Sequence, residues 1–200
     1  MKNYFILLLT LHFGTGLLAQ SFPEETLKTV KSNDENLQHR LNRLEKMVDD
    51  LLWYEKVGDV AHIDKLYMYG PPKWKEENPT ALGAGNPVKF WSYAFFPKNL
   101  DTNKKYPLIV FPHGGVHGDF TTYYTHIIRE LVSQGYVVVA AEYRGSTGYG
   151  KGHYRKIDYG GLEVEDVYAS RNYMLENYDF IDKGRVGIIG WSRWRTHHPV

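Results

Sequence analysis

Two short segments of the sequence carry residue types whose spacing suits acyl transfer. Gly190-Trp-Ser192 ends an apolar run, and a serine on a sharp turn after a buried strand is the nucleophile in the pattern G-x-S-x-G. Trp194 stands where that pattern has its second glycine. The other segment, Phe111-Pro-His-Gly-Gly115, also ends an apolar run, and backbone N–H groups freed by a glycine pair can stabilise an oxyanion. A tight turn that needs glycine would explain the second segment alone, but the two segments together favour a catalytic use.

A third segment, Glu142-Tyr-Arg-Gly-Ser-Thr-Gly-Tyr-Gly-Lys151, follows another apolar run. Its last seven residues match the G-x-x-x-x-G-K part of a phosphate-binding loop. Gly152, however, stands where that loop needs serine or threonine to bind a magnesium ion. We therefore expect no nucleotide at this segment.

Two side chains of the third segment are candidates for contact with a substrate. Arg144 either faces the substrate or forms a salt bridge with a neighbour such as Asp166. Tyr149 either lines a pocket or packs between a helix and the sheet. In the glycine-containing segment, His113 is expected to be structural rather than the catalytic base, because it precedes the serine and lies in the turn itself.

Strands and helices are predicted to alternate after Pro87. Apolar runs predict strands at 88–96, 107–112, 136–141 and 186–189, and apolar periodicity predicts helices at 121–134 and 162–178. Short buried strands separated by helices indicate the α/β class, with a mostly parallel sheet and flanking helices. A glycine turn at the carboxyl end of such a strand points into the crevice where open α/β sheets bind ligands.

The region before Val88 is predicted to hold a leader and a helical segment. Residues 1–19 have a short basic start, an apolar stretch and Ala19 before a polar residue, which predicts a secretory signal peptide and export to the periplasm or the exterior. Residues 20–87 are predicted to form a polar lead-in, poorly ordered through Asn36, and an amphipathic helical region. A 4-3-4-3 spacing predicts one apolar stripe along that helix: Leu37, Leu41, Leu44, Val48 and Leu51. Because two heptads are too few to predict a coiled coil, we expect the apolar stripe to pack on the chain's own domain.

The composition excludes several classes of function. The formal net charge of +1 gives no general attraction to nucleic acid or to an anionic membrane. The chain has no cysteine, so it forms neither a disulfide nor a thiolate metal site. His113 and His117 lie in a glycine-containing loop, and His197-His198 have no further ligands nearby, so we expect neither a metal nor a cofactor. No stable membrane insertion is expected after signal cleavage, and the sequence leaves the oligomeric state open.

Together these segments resemble the catalytic domain of the prolyl oligopeptidase family of serine peptidases. The resemblance rests on four segments in the family's order: Tyr106 to Gly115, Glu142 to Gly150, Asp166-Val167, and Asp182 to Ser192. It implies part of an α/β-hydrolase fold over 88–192, a peptide substrate and hydrolysis through an acyl-enzyme. It also implies that Ser192 is the nucleophile, and that backbone N–H groups of Gly114 or Gly115 and of Arg193 form the oxyanion hole.

Two features depart from the family's pattern. Family members commonly carry a β-propeller ahead of the hydrolase domain, but residues 20–87 are too few for even two blades of about 40–50 residues each. The acid and the histidine of the triad should follow the serine in the chain, whereas only residues 193–200 do so, and His197 and His198 lie too close to Ser192. We therefore expect 193–200 to be an aberrant tail that arises from a frameshift or a premature stop. The chain as written is then expected to have essentially no peptidase activity.

Two other functions stay open from the sequence alone. A carboxylesterase is one, since a nucleophile turn and an oxyanion hole serve esters as well as amides. The other is an exported, non-catalytic binding protein that associates through the helix carrying the apolar stripe.

Overall fold

The structure, a computed structural model, describes residues 23–190. Ser192, Arg193, the predicted signal peptide 1–19 and the predicted tail 193–200 lie outside the described residues. The chain divides into two compact units, residues 1–34 and 35–200. The described part of the first unit is the opening of a helix that begins at Glu24. The strands and the remaining helices described belong to the second unit.

The described elements alternate along the chain after the first helix. The strands are β1 (Ala61–Pro72), β2 (Pro87–Pro97), β3 (Tyr106–Val110), β4 (Val137–Glu142) and β5 (Ile181–Ile188). The helices are α1 (Glu24–Val57), α2 (Thr125–Ser133), α3 (Lys151–Tyr154) and α4 (Leu162–Asn177), and a 3₁₀-helix, Thr122–Tyr124, leads into α2. Each strand and helix predicted after Pro87 is present, with shifted ends. Among residues 23–190, no helix is both long enough and apolar enough to cross a bilayer.

The N-terminal region differs from its prediction in two places. The lead-in is helical from Glu24 rather than poorly ordered, since its Glu, Lys and Leu residues favour helix. The strand β1 lies where the sequence predicted only helix and chain breaks. It pairs with β2 along its length and alternates buried with exposed residues at its start. Its two prolines lie at the end of an edge strand, where proline is tolerated.

The sheet is mixed, which corrects the prediction of a mostly parallel one. Its strand order is β1-β2-β4-β3-β5. The strand β3 pairs in parallel with β4 and β5, as the βαβ pattern predicts, whereas β2 pairs antiparallel with β1 and β4. The carboxyl ends of β3 and β4 therefore meet at one edge, which we call the carboxyl edge. Trp91 in β2 is opposite Glu142, so the beginning of β2 lies at the same edge.

Apolar side chains cover both faces of the sheet. One cluster packs Trp53 and Val57 of α1 and Ile128 of α2 against the sheet. The other packs Met174 and Leu175 of α4 against the opposite face. Helices thus lie on both sides of the sheet, which is a layered α/β architecture.

The apolar stripe of α1 does not pack on the domain, so that prediction was wrong. The five residues of the stripe are 45% to 72% exposed. The helix meets the sheet instead through Trp53, Val57 and Lys46, which are buried. The Trp53 ring lies 5.0 Å from that of Phe95 and 5.6 Å from that of Phe120. The packed face combines aromatic and charged residues. Apolar periodicity does not predict such a face, because the charged residues interrupt the apolar pattern.

Candidate active site

The glycine turn, residues 112–118, begins just after β3 at the carboxyl edge. Gly115 has φ +81, in the left-handed region that favours glycine. Within residues 23–190, neither the N–H of Gly114 nor that of Gly115 has a hydrogen-bond partner. Gly114 is half-buried and Gly115 is exposed. Both N–H groups are therefore available to a ligand, and their predicted place in an oxyanion hole stays a prediction.

His113 stabilises this turn from inside the protein. The Ser146 hydroxyl donates to the Tyr143 carbonyl (2.7 Å), so the His113 Nε2–H donates to the Ser146 oxygen (2.8 Å). The Tyr143 hydroxyl donates to the Gly115 carbonyl (2.8 Å), and the His113 and Tyr143 rings stack at 4.2 Å. These contacts agree with the structural role expected for His113. Its burial lowers the pKa of the imidazole to about 4.

The loop that follows β4, residues 143–150, is tied to the glycine turn; we call it the Tyr-Arg-Gly-Ser loop. The N–H of Thr147 donates to the Gly118 carbonyl (2.9 Å), and Nδ1–H of His117 donates to the Gly145 carbonyl (2.8 Å). A Cβ on Gly148 would lie 2.7 Å from Cβ of Lys46, so only glycine lets α1 come this close. The two loops therefore form one structure beneath α1.

Arg144 anchors this loop to α4 and β1. Its Nε and Nη2 each donate to the Asp166 carboxylate at 2.7 Å, and its backbone N–H adds a third bond at 2.9 Å. Nη2 also donates to the Pro71 carbonyl (2.6 Å). Arg144 and Asp166 are both buried. The geometry thus favours the salt bridge over the substrate contact for which Arg144 was a candidate.

Tyr149, the other substrate-contact candidate, lines a cavity of about 710 Å³ at the carboxyl edge. Its ring lies 5.0 Å from Nζ of Lys65 and 5.6 Å from the ring of His153. Burial raises the pKa of the Tyr149 phenol well above its usual value. The structure therefore places Tyr149 in a pocket, and its contact with a substrate stays a prediction.

A buried charge cluster beneath the two loops was missed by the sequence analysis. The Lys46 ammonium lies 2.8 Å from Oε1 of Glu142 and 3.6 Å from Oδ2 of Asp119, and it also donates to the Phe120 carbonyl. Glu142 accepts the Phe120 N–H (3.1 Å). Burial alone would lower the pKa of Lys46, but the Glu142 and Asp119 carboxylates together raise it. A glutamate at the end of the apolar strand β4 was the available signal, because a buried carboxylate needs a cation.

The last described residue, Gly190, lies beside the glycine turn. The Ile189 N–H donates to the Val110 carbonyl (3.0 Å), so the parallel pairing of β5 with β3 continues beyond β5. A Cβ on Gly190 would lie 3.8 Å from Cγ of Pro112, the first residue of the glycine turn. The Gly-x-Ser segment therefore begins next to the turn with which the sequence paired it.

Two buried histidines make the protein less stable in acid. Burial lowers the pKa values of His113 and His153 to about 4, so between about pH 6.5 and pH 4 the unfolded chain binds more protons and folding weakens. Each histidine should remove about 2 kcal/mol between pH 7 and pH 5. We expect His153→Gln, whose amide can still donate to the Tyr143 carbonyl, to reduce the pH dependence by that amount in urea titrations.

Glu142 has the opposite effect on stability, because burial raises its pKa and protonation at lower pH therefore favours the folded protein. The contribution of His153 is isolated by comparing the pH dependence of the variant with that of the parent chain. His62→Gln, at an exposed position, is the matched control. An unchanged difference in stability between pH 7 and pH 5 for His153→Gln would contradict the prediction.

Sequence models of two families match the chain. The prolyl oligopeptidase family matches residues 122–193, which include the Tyr-Arg-Gly-Ser loop, α4, β5 and Ser192. Platelet-activating factor acetylhydrolase, isoform II, matches residues 93–149.

Several peptidases are similar to this chain in sequence or in fold, in agreement with the match to the prolyl oligopeptidase family. Dipeptidyl-peptidase 5 of Aspergillus fumigatus is 36% identical over 112 residues, which are 54% of this chain and 16% of that protein. Human dipeptidyl peptidase 8 is 38% identical over 104 residues, 48% of this chain and 12% of that protein. A puromycin-hydrolyzing peptidase of Mycobacterium tuberculosis superposes with a TM-score of 0.52 at 25% identity, covering 65% of this chain and 19% of its own. The chain thus spans less than a fifth of the length of these proteins. The matched segments and their order make the chain similar to the prolyl oligopeptidase family, and its fold is similar to that of these α/β-hydrolase peptidases.

Proposed function

We propose that the protein carrying this sequence is a serine peptidase that works through an acyl-enzyme. The observation that supports the proposal most is the approach of Gly190, the first residue of the Gly-x-Ser segment, to Pro112, whose turn has two N–H groups without a partner among residues 23–190. Ser192 would attack the carbonyl carbon, and the N–H groups of Gly114 or Gly115 and of Arg193 would hold the oxyanion. Loss of one such donor costs on the order of 10²–10³ in rate.

The test measures hydrolysis of a dipeptidyl amide, a substrate class suggested by the relatives' names. It compares a longer protein, made with the coding sequence beyond codon 200, with the chain as written. We expect hydrolysis from the longer protein and at least about a 10³-fold loss in its Ser192→Ala variant. The chain as written serves as the control, since the triad's acid and base are not expected within 193–200. Hydrolysis that survives Ser192→Ala would overturn the proposal.

A carboxylesterase is the second candidate, and the match to an acetylhydrolase family over residues 93–149 favours it. The same serine and N–H groups would act on an ester, whose leaving group needs less help from an acid. A higher kcat/KM for short acyl esters than for peptide amides in the longer protein would favour this candidate.

We also propose that the protein is exported, with cleavage after Ala19. The sequence pattern of residues 1–19 supports this. Mature protein recovered outside the cytoplasm should then begin at Gln20, which intact-protein mass spectrometry would measure.

The exposure of its apolar stripe favours a role for α1 in association rather than in catalysis. We propose that the stripe pairs with the stripe of a second copy of the chain. Its spacing gives Leu41 and Val48 the a positions of a heptad and the other three stripe residues the d positions. In a parallel pair, Arg40 at g of one copy then lies opposite Glu45 at e of the other. In the sequence, the same register places Val30 at d and Leu27 at a further upstream, with Asp34 at the a position between Val30 and Leu37. Complementary charges beside an apolar seam are what a helical dimer requires.

The double variant Leu41→Ser/Leu44→Ser should convert a dimer into a monomer in light scattering coupled to size-exclusion chromatography. Both positions are exposed in a single copy, so the monomer should stay folded, with an unfolding free energy within about 1 kcal/mol after correction for dimerisation. Leu82→Ser, at an exposed leucine outside the helix, is the control. A parent chain that is monomeric at 100 μM, or a variant that stays dimeric, would contradict the pairing.

A further inference from the structure

The cavity beside Tyr149 concentrates positive charge in a protein that is almost neutral overall. The formal net charge of the chain is +1. Yet the described residues that line this cavity include a single carboxylate, Asp50, and five cationic side chains: Arg43, Lys46, Lys65, Lys89 and Lys156. Such a local excess of one sign attracts an anion of opposite charge.

Within the part of the chain that the structure describes, three of these cations have no carboxylate partner. Lys46 is neutralised by Glu142, and Lys65 pairs with Asp50. Among residues 23–190, no carboxylate lies within ion-pair distance of Arg43, Lys89 or Lys156. Cations that face one cavity without counter-ions repel each other, and an anionic ligand would relieve that repulsion.

The pKa shifts of two lysines in the buried part of the cavity also favour an anionic ligand. Burial lowers the pKa of Lys156, and the positive charges of Lys73 and Arg144 lower it further, whereas the Asp166 carboxylate raises it. Burial also lowers the pKa of Lys65. The Asp50 carboxylate raises this pKa, and the positive charge of Lys46 lowers it. A bound anion would favour the charged form of both lysines.

Aromatic rings form a second feature of the same cavity. The rings of Tyr67 in β1 and Trp91 in β2 stack on each other, and Nζ of Lys89 lies 3.4 Å from the Tyr67 ring centroid. Nζ of Lys65 lies 5.6 Å from the Trp91 ring and 5.0 Å from that of Tyr149. Flat apolar surface next to unpaired cations suits a ligand that combines an anionic group with an apolar backbone or side chain.

The cavity lies at the carboxyl edge, where open α/β sheets bind their ligands. Gly148 and Tyr149 of the Tyr-Arg-Gly-Ser loop form part of its wall, and Lys46 connects it to the charge cluster beneath the glycine turn. The cavity is thus bounded in part by the Tyr-Arg-Gly-Ser loop, which is itself hydrogen-bonded to the glycine turn.

We propose that this cavity binds the side-chain carboxylate of an acidic peptide substrate, with Lys89, Lys156 and Arg43 as its cationic partners and Tyr67, Trp91 and Tyr149 as its apolar wall. The proposal rests on the peptidase function only for the identity of the ligand as a peptide. The binding itself needs no chemical step.

The test is isothermal titration of the full chain with acetyl-Ala-Glu-Ala-amide and with its neutral counterpart acetyl-Ala-Gln-Ala-amide. The glutamate peptide should bind at least about tenfold more tightly, and the double variant Lys89→Gln/Lys156→Gln should remove that difference. Lys98→Gln/Lys183→Gln, two exposed lysines that do not line the cavity, should keep it. Raising the salt from 50 to 500 mM should weaken binding of the glutamate peptide alone.

Three results would overturn the proposal: no binding of the glutamate peptide at 5 mM, equal binding of the two peptides, or displacement of the glutamate peptide by an equal concentration of inorganic phosphate. The last result would show a general anion site rather than a peptide site. Because the readout is heat of binding, loss of this proposal would leave the peptidase proposal standing. Conversely, an absence of hydrolysis would leave the binding result unaffected.

Discussion

Replacing Lys46 by methionine is expected to lower the free energy of unfolding by about 3–5 kcal/mol, the usual loss when one partner of a buried ion pair is removed. Lys46 is 2% exposed and Glu142 is fully buried. Methionine keeps the stem that packs against Gly148, so the change leaves the Glu142 carboxylate buried with its cation gone. Urea unfolding followed by tryptophan fluorescence measures the loss.

Two further variants separate the ion pair from other effects. Lys31→Met removes a positive charge from an exposed position of the same helix and should change the unfolding free energy by no more than about 0.5 kcal/mol. Adding Glu142→Gln to Lys46→Met should recover part of the loss, because the amide removes the uncompensated charge and its oxygen can still accept the Phe120 N–H. A loss below 1 kcal/mol for Lys46→Met, or no recovery in the double variant, would show that the ion pair does not stabilise the fold.

The part of the fold built on apolar runs could be predicted from the sequence. Four strands and two helices after Pro87 were found because their sequences contain apolar runs or clear apolar periodicity. Of these strands β2, β3 and β4 are largely buried, whereas β5 was expected to be buried but lies at an edge of the described sheet with only Ile181 buried. The strand β1 was missed because it lies at the edge of the sheet, mixes Asp64 and Lys65 with apolar residues, and ends in Pro71-Pro72. Edge strands are only partly buried, so their composition resembles that of a loop.

Short sequence patterns predicted the loops of the candidate site, but they did not predict the contacts that stabilise these loops. The glycine turn and the Tyr-Arg-Gly-Ser loop were identified because their glycines and their positions after strands have a direct physical meaning. The pairing of Lys46 with Glu142 depends on a contact between residues far apart in the sequence, which no local pattern encodes. The same contact helps to explain the wrong prediction for the apolar stripe, since the face of α1 that packs carries Lys46 together with Trp53 and Val57.

The salt bridge between Arg144 and Asp166 is expected to be as important as that of Lys46, and Asp166→Asn should lower the unfolding free energy by at least about 3 kcal/mol. Asparagine keeps the size of the side chain but leaves the buried guanidinium without its counter-charge. Space here is limited as well, because a Cβ on Gly70 would lie 1.7 Å from Oδ1 of Asp166. Glu165→Gln, at the exposed neighbouring position of α4, is the matched control and should change stability little.

A second substitution distinguishes anchoring by Arg144 from contact with a substrate. Arg144→Lys keeps the charge but loses the planar fork that makes two bonds to Asp166, so an anchor should lose stability even without any ligand present. A residue that served only the substrate would instead keep its unfolding free energy and lose affinity for the peptide. If Arg144→Lys unfolds at the same urea concentration as the parent chain, the anchoring role is wrong and the substrate contact considered from the sequence is the better explanation. If it unfolds earlier, the loop that carries Tyr149 depends on a salt bridge made entirely beneath the surface.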